Sequence, residues 1–70
     1  MNQPLTGPLH ATADANPLPK RIRQLRESLG LSPSQAAYVV HVPPGTWRQW
    51  EEGRKQMPVE TFTLFCRKTR

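Results

Sequence analysis

Apolar residues recur at helical spacing along most of the chain, beginning at Ile22. Ile22, Leu25 and Leu29 follow one another at intervals of three and four residues, which places them on one face of a helix. We predict a first helix over residues 19–29, because proline is accepted in a first turn and Gly30 follows where a left-handed closing residue is needed.

A second helix has the clearest start in the chain. Ser32 can cap it, Pro33 suits its first position, and Gln35 stands three residues after the cap, as a capping box requires. Its apolar positions are Ala36, Ala37, Val39 and Val40. We predict that it extends to His41, a residue type that tolerates a left-handed turn.

The third helix is predicted from Pro44 to Glu52, with Gly53 as its stop. Spacing places Trp47, Trp50 and Glu51 on one face, which makes the two tryptophans core residues rather than a platform for stacked bases. The opposite face carries Gly45, Arg48, Gln49 and Glu52.

A fourth helix is predicted from about Pro58 to Lys68. Phe62, Phe65 and Cys66 share one side of it, and Leu64 lies off that stripe. Three large apolar residues exceed what one small core needs. We therefore predict that Phe62, Leu64 and Phe65 form the contact between two copies of the chain.

These elements predict an all-α fold, a small four-helix domain of the helix-turn-helix kind over residues 19–70. Residues 1–18 are predicted to be a flexible tail, because they are rich in proline and carry no apolar periodicity. A helix, a short turn and a second helix with a polar outer face are the arrangement that places a recognition helix in the major groove of DNA.

The charge of the chain agrees with a nucleic-acid partner. Ten basic residues stand against five acidic ones, a formal net charge of +5, and all ten lie from Lys20 onward. A positive net charge favours binding to polyanions such as nucleic acid. The plainer alternative is a solvated basic surface that binds no partner.

Other classes of function find little support. The single cysteine, Cys66, allows no internal disulfide and no four-cysteine zinc site, which favours a reducing, cytoplasmic setting. No apolar run approaches the roughly 18 residues of a membrane span. His10 and His41 are too isolated for a metal site, and no nucleophile stands with a base. We expect neither an enzyme, a cofactor, a metal nor a membrane partner.

The outer face of the third helix supplies the candidate base contacts. Arg48 can pair with guanine and Gln49 with adenine, and Gly45 stands at a base-facing position without a side chain. For Arg48 the alternative is a surface pair with Glu52. The candidate phosphate contacts are Ser34, Gln35, Thr46, Arg54 and Lys55.

The stretch LRESLGLSPSQAAYVVHVPPGTWRQWEEGRKQMPVETF resembles the Cro and phage-repressor helix-turn-helix family, the Xre type, over residues 22 to 66. Its markers include Ala37, Val42 in the turn, and Trp50-Glu51-x-Gly53. The part TWRQWEEG…MP is also similar to small phage- and plasmid-borne regulators, including anti-CRISPR-associated repressors.

The resemblance implies a homodimer that binds an inverted repeat in the promoter of its own operon and represses it. It also implies a structural salt bridge between Arg26 and Glu51. Two alternatives stay open: an antitoxin that binds a toxin protein as well as DNA, and a protein-interaction adaptor that has lost DNA binding.

The chain departs from the family pattern at both helices of the motif. Pro33 stands where many members have a Gln that reaches a phosphate, and Pro43, Pro44 and Gly45 replace the usual Ser-x-x start of the recognition helix. That start is rigid and lacks a side-chain cap. We therefore expect sequence readout to rest on Arg48 and Gln49.

A second departure concerns volume in the core. Ala36 stands where the family has Leu, and Trp47 where it has Val or Ile. Because a core must stay close-packed, we expect the large residue to fill the space that the small one leaves.

Overall fold

The computed structural model describes residues 16–70, and within that range the chain forms four α-helices and no strand. They are α1 (Pro19–Ser28), α2 (Pro33–Val39), α3 (Pro44–Glu52) and α4 (Val59–Thr69). The predicted all-α, four-helix fold is confirmed. The predicted and observed helix ends differ most at α2, which ends at Val39 and not at His41 as predicted. Most of the predicted flexible tail lies outside the described residues.

Local signals set the ends of the helices as predicted. Ser32 Oγ accepts a hydrogen bond from the Gln35 backbone N–H at 3.1 Å, and Gln35 Oε1 accepts one from the Ser32 N–H at 2.8 Å. Gly30 (φ 72°) and Gly53 (φ 80°) close α1 and α3 in the left-handed region, and His41 (φ 61°) takes that conformation after α2.

The core is built around Trp47, which is fully buried. Its ring meets Trp50 edge-on with centroids 5.7 Å apart and lies 4.9 Å from the ring of Phe65. The assignment of both tryptophans to the core is confirmed. The other buried residues are Ile22, Ala36, Ala37, Val40 and Met57. Full burial of both Ala36 and Trp47 is what an exchange of volume between α2 and α3 requires.

The structure corrects one residue of the predicted dimer contact. Phe65 is fully buried against Trp47 within one chain, so no part of it is free to meet a second chain. Phe62 and Leu64 are half-buried and pack partly against the same core. The periodicity of α4 could not separate these roles, because which apolar side faces inward depends on how α4 packs on the other helices.

Contacts with the helical domain extend upstream of α1. Asn16 Nδ2 donates a hydrogen bond of 2.7 Å to the carbonyl of Met57, in the loop between α3 and α4. The chain is therefore already held against the domain three residues before Pro19.

Candidate nucleic-acid interface

α3 has an inner and an outer face with opposite environments. Trp47 and Trp50 on the inner face are buried, whereas Gly45, Arg48 and Glu52 on the outer face are exposed. Gln49 is half-buried, so it lies at the border between the two faces rather than fully outside. The predicted division of α3 is confirmed, with Gln49 as the residue whose position is intermediate.

Glu51 anchors the inner face of α3 to α1. Its carboxylate accepts two hydrogen bonds from Arg26, at 2.6 Å from Nε and 3.0 Å from Nη2, and a third at 2.6 Å from the indole Nε1 of Trp47. Arg26 also donates from Nη1 to the carbonyl of Leu31 at 2.9 Å. Bidentate geometry fixes direction as well as distance, so this group sets the orientation of α3 against α1.

The surroundings of Glu51 favour its ionised form. Burial raises the pKa of this carboxyl, but the hydrogen bonds from Arg26 and Trp47, together with the charges of Arg26 and Arg23, outweigh burial and hold the pKa below its ordinary value. The hydrogen bond to Glu51 in turn raises the pKa of Arg26. The pair is therefore charged at neutral pH, and its side chains are only 12% and 7% exposed.

Arg48 stands on the outer face, where it pairs with no carboxylate of residues 16–70. Glu52, the carboxylate one turn further along α3, pairs instead with Arg54 across 3.3 Å. Within residues 16–70, Arg48 forms no salt bridge. The surface pair considered as the alternative role of Arg48 is thus not formed, and its guanidinium is free to meet an external acceptor.

The candidate phosphate contacts lie at two helix starts and one loop. Ser34 and Gln35 are exposed in the first turn of α2, and the amide NH₂ of Gln35 takes no part in the capping box. Thr46 is half-buried in the first turn of α3. Arg54 and Lys55 are exposed directly after Gly53, where the Arg54 N–H donates to the Gln49 carbonyl at 2.9 Å.

The start of α3 has the unusual form that its sequence predicts. Pro43 occupies the N-cap position with no side-chain cap, and Pro44 follows at the first helical position. Gly45 is helical rather than left-handed, and a Cβ built on it would meet nothing within 4 Å. Neither its backbone conformation nor its packing against residues 16–70 requires glycine at this position.

Some contacts at the site were not predicted. The hydrogen bond from Trp47 to Glu51 was one of them, although the separation of four residues along a helix would have indicated it. The contact of Arg23 with Glu51 at 3.7 Å was another. Within residues 16–70, no helix could cross a membrane and no group of three His, Cys, Asp or Glu could hold a metal.

The comparisons with known proteins place the chain in a family. The model of the helix-turn-helix domain family matches residues 18–70, and the chain belongs to that family. No curated protein matches the chain. The family, the packing of α2 against α3 and the charged outer face define a DNA-binding regulator of the helix-turn-helix class.

Proposed function

We propose that the protein is a sequence-specific repressor of the Cro and Xre type, which binds an inverted repeat in double-stranded DNA as a homodimer. The observation that carries the proposal is the exposed Arg48, free of salt bridges within residues 16–70, on a helix whose other face is held by Glu51. A long cation on a rigidly oriented helix is the arrangement that base readout needs.

Base readout in this proposal comes from the outer face of α3, inserted in the major groove. The Arg48 guanidinium donates two hydrogen bonds to O6 and N7 of a guanine, and the Gln49 amide pairs with an adenine. Gly45 is exposed and has no side chain, so it lets the start of α3 approach the bases closely.

Phosphate contacts orient the protein on the duplex. Arg54, whose side chain is 74% exposed, exchanges the carboxylate of Glu52 for a phosphate when DNA binds. The further contacts in this proposal are Ser34, Gln35, Thr46 and Lys55. They add affinity without sequence preference, since every phosphate is alike.

A selection from a randomised duplex pool, followed by mobility shifts at several salt concentrations, tests this proposal. We expect Arg48→Ala to weaken binding to the selected sequence by about 5- to 150-fold while scrambled DNA is bound as before. Arg54→Ala is the matched control, and it should weaken binding to both duplexes and lower the salt slope by about one. Loss of affinity on every sequence with Arg48→Ala would argue against base readout.

Dimerisation is proposed to involve Phe62 and Leu64 of α4. A domain of this size buries a small core, so association adds apolar burial that a single protomer lacks. Leu64→Lys should convert the dimer to a monomer in analytical ultracentrifugation, with helicity checked by circular dichroism. Tyr38→Lys makes a similar change at an exposed residue of α2 and should leave the dimer intact. A folded Leu64→Lys dimer would place the contact elsewhere.

Autoregulation follows if the operator lies upstream of the gene itself. Expression of a reporter gene driven by that upstream DNA should fall when the protein is supplied in trans. Supplying the Arg48→Ala variant instead should leave expression at its unrepressed level. The narrower proposal, an autorepressor of an anti-CRISPR-type operon in a phage or plasmid, requires such a gene beside this one.

A further inference from the structure

Lys68, near the end of α4, reaches across to the turn between α2 and α3. Its Nζ donates a hydrogen bond of 3.2 Å to the carbonyl of Val39 and lies 3.1 Å from Nε2 of His41. An ammonium group only donates, so a hydrogen bond between these two side chains has the imidazole Nε2 as its acceptor. These contacts join residues 29 and 27 positions apart in the chain.

Lys68 donates to a backbone carbonyl at the end of α2, that of Val39, which the closure of the helix leaves unused. The N–H groups of His41 and Val42 donate to the carbonyls of Tyr38 and Ala37, at 3.2 and 3.1 Å, in the pattern of a Schellman closure. That closure does not use the last helical carbonyl, which belongs to Val39. Lys68 supplies the missing donor from another helix.

The turn that Lys68 contacts contains a left-handed residue other than glycine. His41 has φ 61°, in the left-handed region, where glycine or asparagine is the usual residue. A side chain held in that conformation needs contacts that oppose its return to ordinary φ values. The bond to Lys68 is such a contact, because it holds the imidazole from outside the turn.

We propose that Lys68 is a positioning residue that holds the α2–α3 turn closed and so fixes the angle at which α3 meets DNA, an inference that rests on the proposed function. The turn is the only covalent link between the two helices of the motif. A change in its dihedral angles therefore moves the outer face of α3 relative to the phosphate contacts on α2.

A basic residue at this position could affect DNA binding in a second way. Lys68 could meet a phosphate directly, as a charge on the surface. The two roles predict different results for the salt slope of binding, for Lys68→Met in a His41→Gly background, and for removal of the neighbouring charge of Arg67. The test compares all three.

The first arm of the test measures affinity for the duplex selected by the wild-type protein. We expect Lys68→Met to lower this affinity about three- to tenfold with an unchanged salt slope, and Lys68→Arg to restore most of it, because guanidinium donors also reach two acceptors. Arg67→Met removes an equal charge from the adjacent exposed residue and should have no such effect. A slope that falls by about one with Lys68→Met would overturn the proposal in favour of a phosphate contact.

A second arm tests dependence on His41. His41→Gly keeps the left-handed turn and removes the acceptor ring, so Lys68→Met should cost at most half as much affinity in that background. An equal cost in both backgrounds would contradict the proposal.

The third arm needs no DNA. Hydrogen exchange of the Val42 amide, whose bond to Ala37 closes the turn, should accelerate about three- to tenfold in Lys68→Met and not in Arg67→Met. If the wild-type protein selects no DNA sequence, the proposed function fails while this arm still decides whether Lys68 holds the turn. Unchanged exchange in Lys68→Met would overturn the inference even if DNA binding is confirmed.

Discussion

The inner and outer faces of α3 use their side chains in opposite ways. On the inner face Trp47 and Trp50 pack in the core, and Glu51 accepts hydrogen bonds from α1 and from within α3. On the outer face, and within residues 16–70, a Cβ built on Gly45 would meet nothing within 4 Å and Arg48 forms no salt bridge. One helix of nine residues thus combines a face fixed by the fold with a face left to a partner.

The inner face of α3 holds the helix in place although its start has no side-chain cap. Its start, Pro43-Pro44, provides no side-chain acceptor for the first N–H groups, in contrast to the capping box at Ser32. So short a helix is marginal by itself. Its position therefore depends on the aromatic packing and on Glu51, and changes to the inner face should affect folding while changes to the outer face affect binding.

The largest effect is expected from Glu51→Gln. The substitution leaves the largely buried guanidinium of Arg26 with only the exposed carboxylate of Glu27, 3.9 Å away, as a counter-charge, which should lower the free energy of unfolding by roughly 3 kcal/mol. Urea unfolding followed by tryptophan fluorescence measures this change. Glu52→Gln makes the same substitution at the next residue, where the side chain is 54% exposed, and should change stability by less than about 0.5 kcal/mol. Similar values for the two variants would show that Glu51 does not anchor α3.

A smaller, reversible loss of stability is expected on acidification, because protonation also removes the charge of Glu51. The pKa of Glu51 in the folded state lies below its unfolded value of about 4.3, so its contribution to stability is complete above that value. The contribution is lost as the pH falls through the folded pKa, because the folded state must then take up a proton.

Thermal melts between pH 6 and pH 3 would measure this loss. The stability gap between the wild-type protein and Glu51→Gln should close as the pH falls, since both then carry a neutral side chain at this position. The difference in stability between the wild-type protein and Glu52→Gln, measured at each pH, shows how much acidification changes stability through other groups. A gap that widens below pH 4 would contradict the assigned direction of the pKa shift.

The smallest effect on stability, and one of opposite sign, is expected from Gly45→Ala on the outer face. The added methyl group meets nothing within 4 Å among residues 16–70 and the backbone is helical, so the free energy of unfolding should rise by about 0.5–1 kcal/mol. Affinity for the selected duplex should fall, because the methyl group occupies space that the proposed complex gives to DNA.

Gly30→Ala is the matched control for this prediction. It also has open space, but its φ of 72° is unfavourable for alanine, so it should destabilise the fold by about 1 kcal/mol and leave DNA affinity unchanged. If Gly45→Ala bound DNA as well as the wild-type protein, close approach at Gly45 would be excluded.

The sequence predicted most accurately those features that depend on neighbouring residues. The capping box of Ser32 and Gln35, the left-handed positions at Gly30, His41 and Gly53, and the inner position of both tryptophans follow from local geometry alone. The exposure of Arg48 followed from the same periodicity. Direct contact of any of these residues with DNA remains a prediction.

Features that depend on distant residues were not predictable in this way. Periodicity put Phe65 on an apolar side of α4 but could not show that this side meets Trp47 rather than a second chain. Contacts of this kind arise only when helices are placed against each other, and spacing along one helix holds no information on that placement.

By itself the sequence determined that four helices form, where they begin and end to within two residues, and which face of α3 is apolar, since these depend on backbone geometry and spacing. Only the tertiary structure decided that Phe65 is core, that Arg23 also contacts Glu51 and that Lys68 reaches the turn after α2. The physical reason is that each of these contacts joins separate elements, and their distances are set by how the helices pack.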